Sequence, residues 1–167
     1  MGGIFFLGLY IIGNRDKAIL FYALFSIVYS YRIIGTENYV LHSIFPDLNW
    51  YITLRLEYIA LFVGIGLFSL YTRHLYPLDS NKNVIRVINS FCFCFAILTV
   101  FIPAYYFTQL LNPFILVAIF CIVYVPMVYI RAYRLNRPGA RLSLIGSFSI
   151  LIAFFITLLY YWNFIPQ

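Results

Sequence analysis

The chain has 167 residues, of which 64% are hydrophobic and 10% are charged. Soluble domains are about half apolar and about a quarter charged, so this composition excludes an ordinary water-soluble fold and predicts a protein that folds in lipid. The formal net charge of +6 does not indicate nucleic-acid binding, because the basic residues lie between apolar runs and are not clustered with exposed aromatic residues.

Apolar segments bounded by charged residues, Pro, Gly or Asn predict an all-α fold, a polytopic transmembrane helical bundle of about six helices. We expect one transmembrane domain over residues 1–167, with helices at 2–13, 17–35, 50–72, 84–103, 110–131 and 141–162. The first segment is short, since a span needs about 20 apolar residues. It is interpreted as part of a longer helix.

The positions of Lys and Arg predict how the helices are oriented. The first, third and fifth connections are basic, whereas the second contains Glu37 and Asp47 and the fourth has no charge. Because short cytoplasmic loops carry the excess of Lys and Arg, a multi-pass protein of the cell (inner) membrane is predicted, with its N-terminus and C-terminus both extracytoplasmic. The fifth connection contributes four arginines, Arg131, Arg134, Arg137 and Arg141.

These four arginines have two interpretations. They act as cytoplasmic determinants of topology that also contact anionic lipid, or they form a docking surface for a cytoplasmic output domain.

One cluster of ionisable residues lies inside the predicted helices. Arg55 and Glu57 are near the outer end of the third helix, and Arg32 is near the outer end of the second. Ionisable groups in a membrane are costly unless they are paired or hydrated, and the helical rise allows Glu57 to reach Arg32 while Arg55 points elsewhere. We name these three residues the polar lock. It either orders the outer half of the bundle or lines a ligand crevice. Alternatively, the arginines extend to headgroups and Glu57 forms a purely structural pair.

The sequence predicts no enzyme activity and no catalytic residues, metal site or cofactor. His42 and His74 fall on opposite sides of the predicted membrane, and the HExxH and CxxC motifs are missing. The Ser and Thr residues of the helices have no His or Asp beside them to act as a base.

Small residues predict where helices approach one another. Gly64 and Gly66 in the third helix and Gly146 in the sixth are expected to allow close packing. Pro126 is expected to kink the fifth helix.

Four stretches of the sequence resemble a known family. They are Gly8-Leu9-Tyr10 with the turn at 13–16, the segment 20–25 running to Tyr31-Arg32, the segment 54–58, and the segment 137–142 with a helix closing at 163–166. In order and spacing they resemble the membrane domain of the bacterial seven-transmembrane receptors with diverse intracellular signalling modules (7TMR-DISM).

The resemblance implies a receptor module for signal transduction that relays an extracytoplasmic signal to a cytoplasmic output domain. The implied partners are the lipid bilayer, an extracytoplasmic sensor domain, a cytoplasmic kinase or cyclase module and a second copy of the chain in a homodimer. The seventh helix and both soluble modules are missing, so the chain looks like a truncated receptor core or a degenerate member. The alternative is a small multi-pass transporter or channel subunit.

Overall fold

The structure is a computed structural model that describes residues 2–13, 15–36 and 50–161. The predicted second connection, with Glu37, His42 and Asp47, lies outside the described residues, as does the segment 163–166. Two compact units, Met1–Cys121 and Ile122–Gln167, make up the chain and are described separately.

All regular elements in the described ranges are helices, in agreement with the predicted all-α fold. The first unit contains α1 to α5 and the first half of α6, and the second unit contains the rest of α6 and α7. The helices are α1 (Gly2–Ile12), α2 (Lys17–Thr36), α3 (Trp50–Leu75), α4 (Lys82–Phe101), α5 (Ala104–Gln109), α6 (Leu111–Arg134) and α7 (Ala140–Tyr161).

Six of the seven helices in the described ranges match the predicted segments within a few residues. The exception is α5, which was predicted to be a plain connection, and that prediction is wrong. The cause lies at Pro103. Ile102 precedes this proline and is extended, with φ −90° and ψ 145°, as expected because a proline disfavours helical geometry in the residue before it. The chain then resumes a helical turn, in which the Tyr106 amide donates to the Pro103 carbonyl at 3.0 Å.

Side-chain caps explain where two helices begin. The Ala18 amide donates to Asp16 Oδ1 at 3.0 Å at the start of α2. At the start of α4 the Asn83 amide donates to Asn81 Oδ1 at 2.9 Å. Both contacts satisfy amides that have no partner within their own helix.

Three helices are long and apolar enough to cross a membrane: Tyr51–Leu75, Lys82–Phe101 and Leu111–Arg134. Their outer faces carry large exposed apolar side chains, such as Phe93 and Leu116, which suits a lipid environment. Among the described residues Gly2–Ile12 and Ala140–Ile152 are shorter apolar helices. The count of six spans remains a prediction.

In the first unit, α3 packs against α2 and against α4. The α2 contact is aromatic, with Tyr22 and Tyr71 at 5.3 Å between ring centroids and Phe25 and Phe68 also at 5.3 Å. Phe62 of α3 is fully buried, and its ring centroid lies 4.3 Å from that of Phe114 at the start of α6. Thus α3 is the central helix of this unit.

In the second unit, α6 and α7 are joined by a tight turn with Asn136 at φ 50° and Gly139 at φ 74°. Pro126 lies inside α6, as predicted. A Cβ built on Gly146 has no described atom within 4 Å, so the close helix approach expected there is not found among the described residues.

Candidate functional site

The polar lock begins with two residues of α3 that point in different directions. Arg55 and Glu57 are two positions apart, which separates them by about 200° around a helix. Because α3 lies between α2 and α4 in the first unit, each residue is directed toward a different neighbouring helix.

Arg55 binds the end of α4. Its Nη1 donates to the Val100 carbonyl at 3.1 Å and its Nη2 to the Ile102 carbonyl at 3.2 Å. The last carbonyls of a helix have no partner within that helix and carry its negative dipole end. The guanidinium therefore caps α4, a role that neither sequence interpretation of Arg55 included.

Glu57 acts on α2. Its negative charge interacts electrostatically with Arg32 and with Tyr31, which adjoin each other in that helix. The Tyr31 hydroxyl oxygen is buried and has no hydrogen-bond partner among the described residues. Arg55 thus contacts α4 and Glu57 interacts electrostatically with α2, while the function of the polar lock remains a prediction.

A second polar contact, missed by the sequence analysis, joins α3 to α4 closer to their other ends. Asn89 Nδ2 donates to Ser69 Oγ at 2.7 Å and to the Ile85 carbonyl at 3.0 Å. Ser69 Oγ in turn donates to the Gly66 carbonyl at 2.8 Å. The signal was an asparagine inside an apolar segment, since polar side chains in spans commonly form hydrogen bonds across helices.

Gly66 brings the two helices together at this contact. A Cβ at this position would lie 3.2 Å from Asn89 Oδ1 and 3.4 Å from Cys92 Cβ, so the expected close approach is confirmed here. At Gly64 the nearest atom is Val28 Cγ1, at 3.9 Å, which is ordinary van der Waals contact. Of these two glycines, only Gly66 thus marks a tight approach, and it lies toward α4.

The sequence model of the family described as 7TM diverse intracellular signalling matches residues 1–167. The chain belongs to this family. The resemblance inferred from the four stretches is thereby confirmed, and the chain is a membrane receptor module for signalling. No curated protein and no solved structure matches the chain.

The four arginines of this 7TMR-DISM domain surround the turn between α6 and α7. Arg131 and Arg134 are in the last turn of α6, and Arg141 is in the first turn of α7. All three are exposed, whereas Arg137 is half-buried. The Arg141 guanidinium lies 5.9 Å from the centre of the Tyr133 ring, a cation–π distance. Their roles in topology or docking remain predictions.

Within the described ranges the 7TMR-DISM domain has no group of three His, Cys, Asp or Glu residues placed to hold a metal ion. All three cysteines are free thiols. Cys92 and Cys121 are buried, and Cys94 is exposed.

Proposed function

We propose that this 7TMR-DISM domain relays an extracytoplasmic signal to a cytoplasmic output domain. The proposal rests on Arg55 and Glu57, two residues of α3 that interact with different neighbouring helices. Arg55 caps α4, while Glu57, two residues further on, interacts with Arg32 of α2. One end of one helix is thus coupled to both of its neighbours, at the side that the Lys and Arg distribution predicts to be extracytoplasmic.

The proposed mechanism is a shift of α3 between two packing arrangements. A signal that moves the outer end of α3 changes the Arg55 contact and the Glu57 contact together, because both side chains belong to the same helix. The 26 residues of α3 extend about 39 Å, enough to carry the shift across a bilayer. A ligand drives such a change only to the extent that it binds the two arrangements with different affinity.

The proposed partners follow from this direction of transfer. An extracytoplasmic sensor domain supplies the signal next to the polar lock, and a cytoplasmic kinase or cyclase module receives it at the basic connections. A homodimer gives a second route, in which the shift of α3 changes the packing of the two copies.

The test measures whether neutralising Glu57 changes the distance between α2 and α3 at the ends that lie far from Glu57. Nitroxide labels are placed on Lys17→Cys at the start of α2 and Leu78→Cys after α3, both exposed positions. The background is Cys94→Ser, because Cys94 is the exposed thiol while Cys92 and Cys121 are buried. Pulsed electron paramagnetic resonance on the full chain in nanodiscs then gives the distance distribution.

In this experiment Glu57→Gln is expected to shift or broaden the distribution, and Glu57→Asp, which keeps the charge, to retain the wild-type distribution. An unchanged distribution in a well-folded Glu57→Gln protein would overturn the relay. Solute uptake into liposomes that is lost in Glu57→Gln would also overturn it, because it would indicate a transporter or channel subunit.

A further inference from the structure

A cleft of about 410 Å³ lies between α3 and α4, near the ends that the charge distribution predicts to be cytoplasmic. We call it the basic cleft. It is lined by Leu70 and Arg73 of α3 and by Ile85, Arg86, Asn89, Ser90 and Phe93 of α4. It lies within the first unit, close to the hydrogen bond between Asn89 and Ser69.

Two arginines give the basic cleft its charge. Arg73 is half-buried and Arg86 is exposed, and no acidic side chain lines the cleft with them. Neither arginine forms an ion pair with any residue in the described part of the chain. An arginine presents a planar set of donors that fits phosphate oxygens. The cleft therefore offers a phosphate group both hydrogen-bond donors and positive charge that no acidic residue neutralises.

The basic cleft becomes apolar toward the middle of the membrane. Leu70 lies one turn deeper than Arg73 in α3, and Phe93 lies about 10 Å deeper than Arg86 along α4. Phe93 is 69% exposed. The wall therefore changes from guanidinium groups to apolar side chains along the membrane normal, in the same order as a phospholipid changes from phosphate to acyl chain.

We propose that the basic cleft binds an anionic phospholipid of the cytoplasmic leaflet. Arg73 and Arg86 contact the phosphate, Ser90 supplies a further hydroxyl donor about one turn deeper along α4, and the start of an acyl chain lies against Leu70 and Phe93. Basic pockets between transmembrane helices on the cytoplasmic side commonly bind such headgroups. A soluble phosphorylated ligand would use the arginines but would have no use for the exposed Phe93.

The test compares lipid retention by native mass spectrometry of the full chain released from nanodiscs of phosphatidylglycerol and phosphatidylcholine. The wild type is expected to retain phosphatidylglycerol preferentially. Arg86→Gln should lower that preference about fivefold and Arg73→Gln/Arg86→Gln about thirtyfold, the effect expected of basic side chains near an anionic surface. Arg15→Gln is the matched control, because it removes one exposed arginine that does not line the cleft. It should keep the wild-type preference.

Equal retention of the two lipids by the wild type, or an equal loss in Arg86→Gln and Arg15→Gln, would overturn the proposal. In a further measurement inorganic phosphate is added to the wild-type protein. Displacement of the lipid at millimolar phosphate would assign the site to a soluble ligand instead. Arg73→Lys/Arg86→Lys keeps the charge and should retain most of the preference, which covers the case in which the double glutamine variant fails to fold. None of these readouts depends on Glu57, so the lipid site and the relay can fail separately.

Discussion

The two faces of α3 contact their neighbours with different side chains. Toward α2, apart from the interaction of Glu57 with Arg32, the contacts are between large rings, such as Phe25 with Phe68 at 5.3 Å and Phe21 with His74 at 4.8 Å. Toward α4 the contact around Gly66 is made by small and polar groups and includes the hydrogen bond from Asn89.

The difference matters because helices in lipid gain little from burying apolar surface against each other. Their association depends on close packing and on hydrogen bonds, and the α4 face has both around Gly66. We therefore expect the α4 contact around Gly66 to contribute more to stability than the ring contacts toward α2.

The largest loss of stability is expected for Gly66→Leu, which overpacks the contact between α3 and α4. The new side chain would have to displace Asn89, which is held by two hydrogen bonds, and Cys92, which is buried. Overpacking of this kind costs about 1–3 kcal/mol. The free energy of unfolding in detergent should fall by that amount in a denaturant titration that follows the exposure of the Cys92 and Cys121 thiols in a Cys94→Ser background.

Alanine at the two glycines of α3 provides the control. Gly64→Ala has room, with its nearest neighbour at 3.9 Å, and should gain up to about 1 kcal/mol from the higher helix propensity of alanine. Gly66→Ala should gain less or lose stability. An equal gain at both positions would show that the α4 face is not tight.

An intermediate effect is expected for Asn89→Leu, which removes the hydrogen bond to Ser69 and leaves the space filled. Hydrogen bonds between membrane helices contribute about 0.6 kcal/mol on average and up to about 1.7 kcal/mol. The same titration should show a loss in this range.

A double-mutant cycle that combines Asn89→Leu with Ser69→Ala gives the interaction free energy between Asn89 and Ser69. Thr99→Val is the control in α4, because the buried Thr99 hydroxyl donates within its own helix, to the Phe95 carbonyl at 2.8 Å. Additive losses in the cycle would mean that Asn89 does not hold α3 to α4.

The smallest effect is expected for Tyr71→Phe on the α2 face. The ring contact with Tyr22 at 5.3 Å is kept, so the free energy of unfolding should change by less than about 0.5 kcal/mol. Tyr71→Leu removes the ring and should cost about 0.5–1.5 kcal/mol. A loss in Tyr71→Phe as large as in Asn89→Leu would show that the Tyr71 hydroxyl makes a specific polar contact among these rings.

The sequence by itself determined the class of protein, the positions of the six predicted helices and the family. Apolar runs bounded by charged and turn residues predict helices in lipid because a membrane leaves the backbone few other ways to satisfy its hydrogen bonds. The predicted segment 50–72 and the observed α3 (Trp50–Leu75) show how closely that signal locates a helix. It also identified Arg32, Arg55 and Glu57 as unusual, since charges inside such runs are rare.

Only the tertiary structure decided what these side chains contact. Arg55 binds carbonyls 45 and 47 residues away, Asn89 binds Ser69 on the facing helix, and Arg73 and Arg86 share one cleft. A helix that is apolar around most of its circumference carries little information about which face meets which neighbour. The rotation of each helix, and with it every contact between helices, is therefore decided by packing and not by the pattern of the sequence.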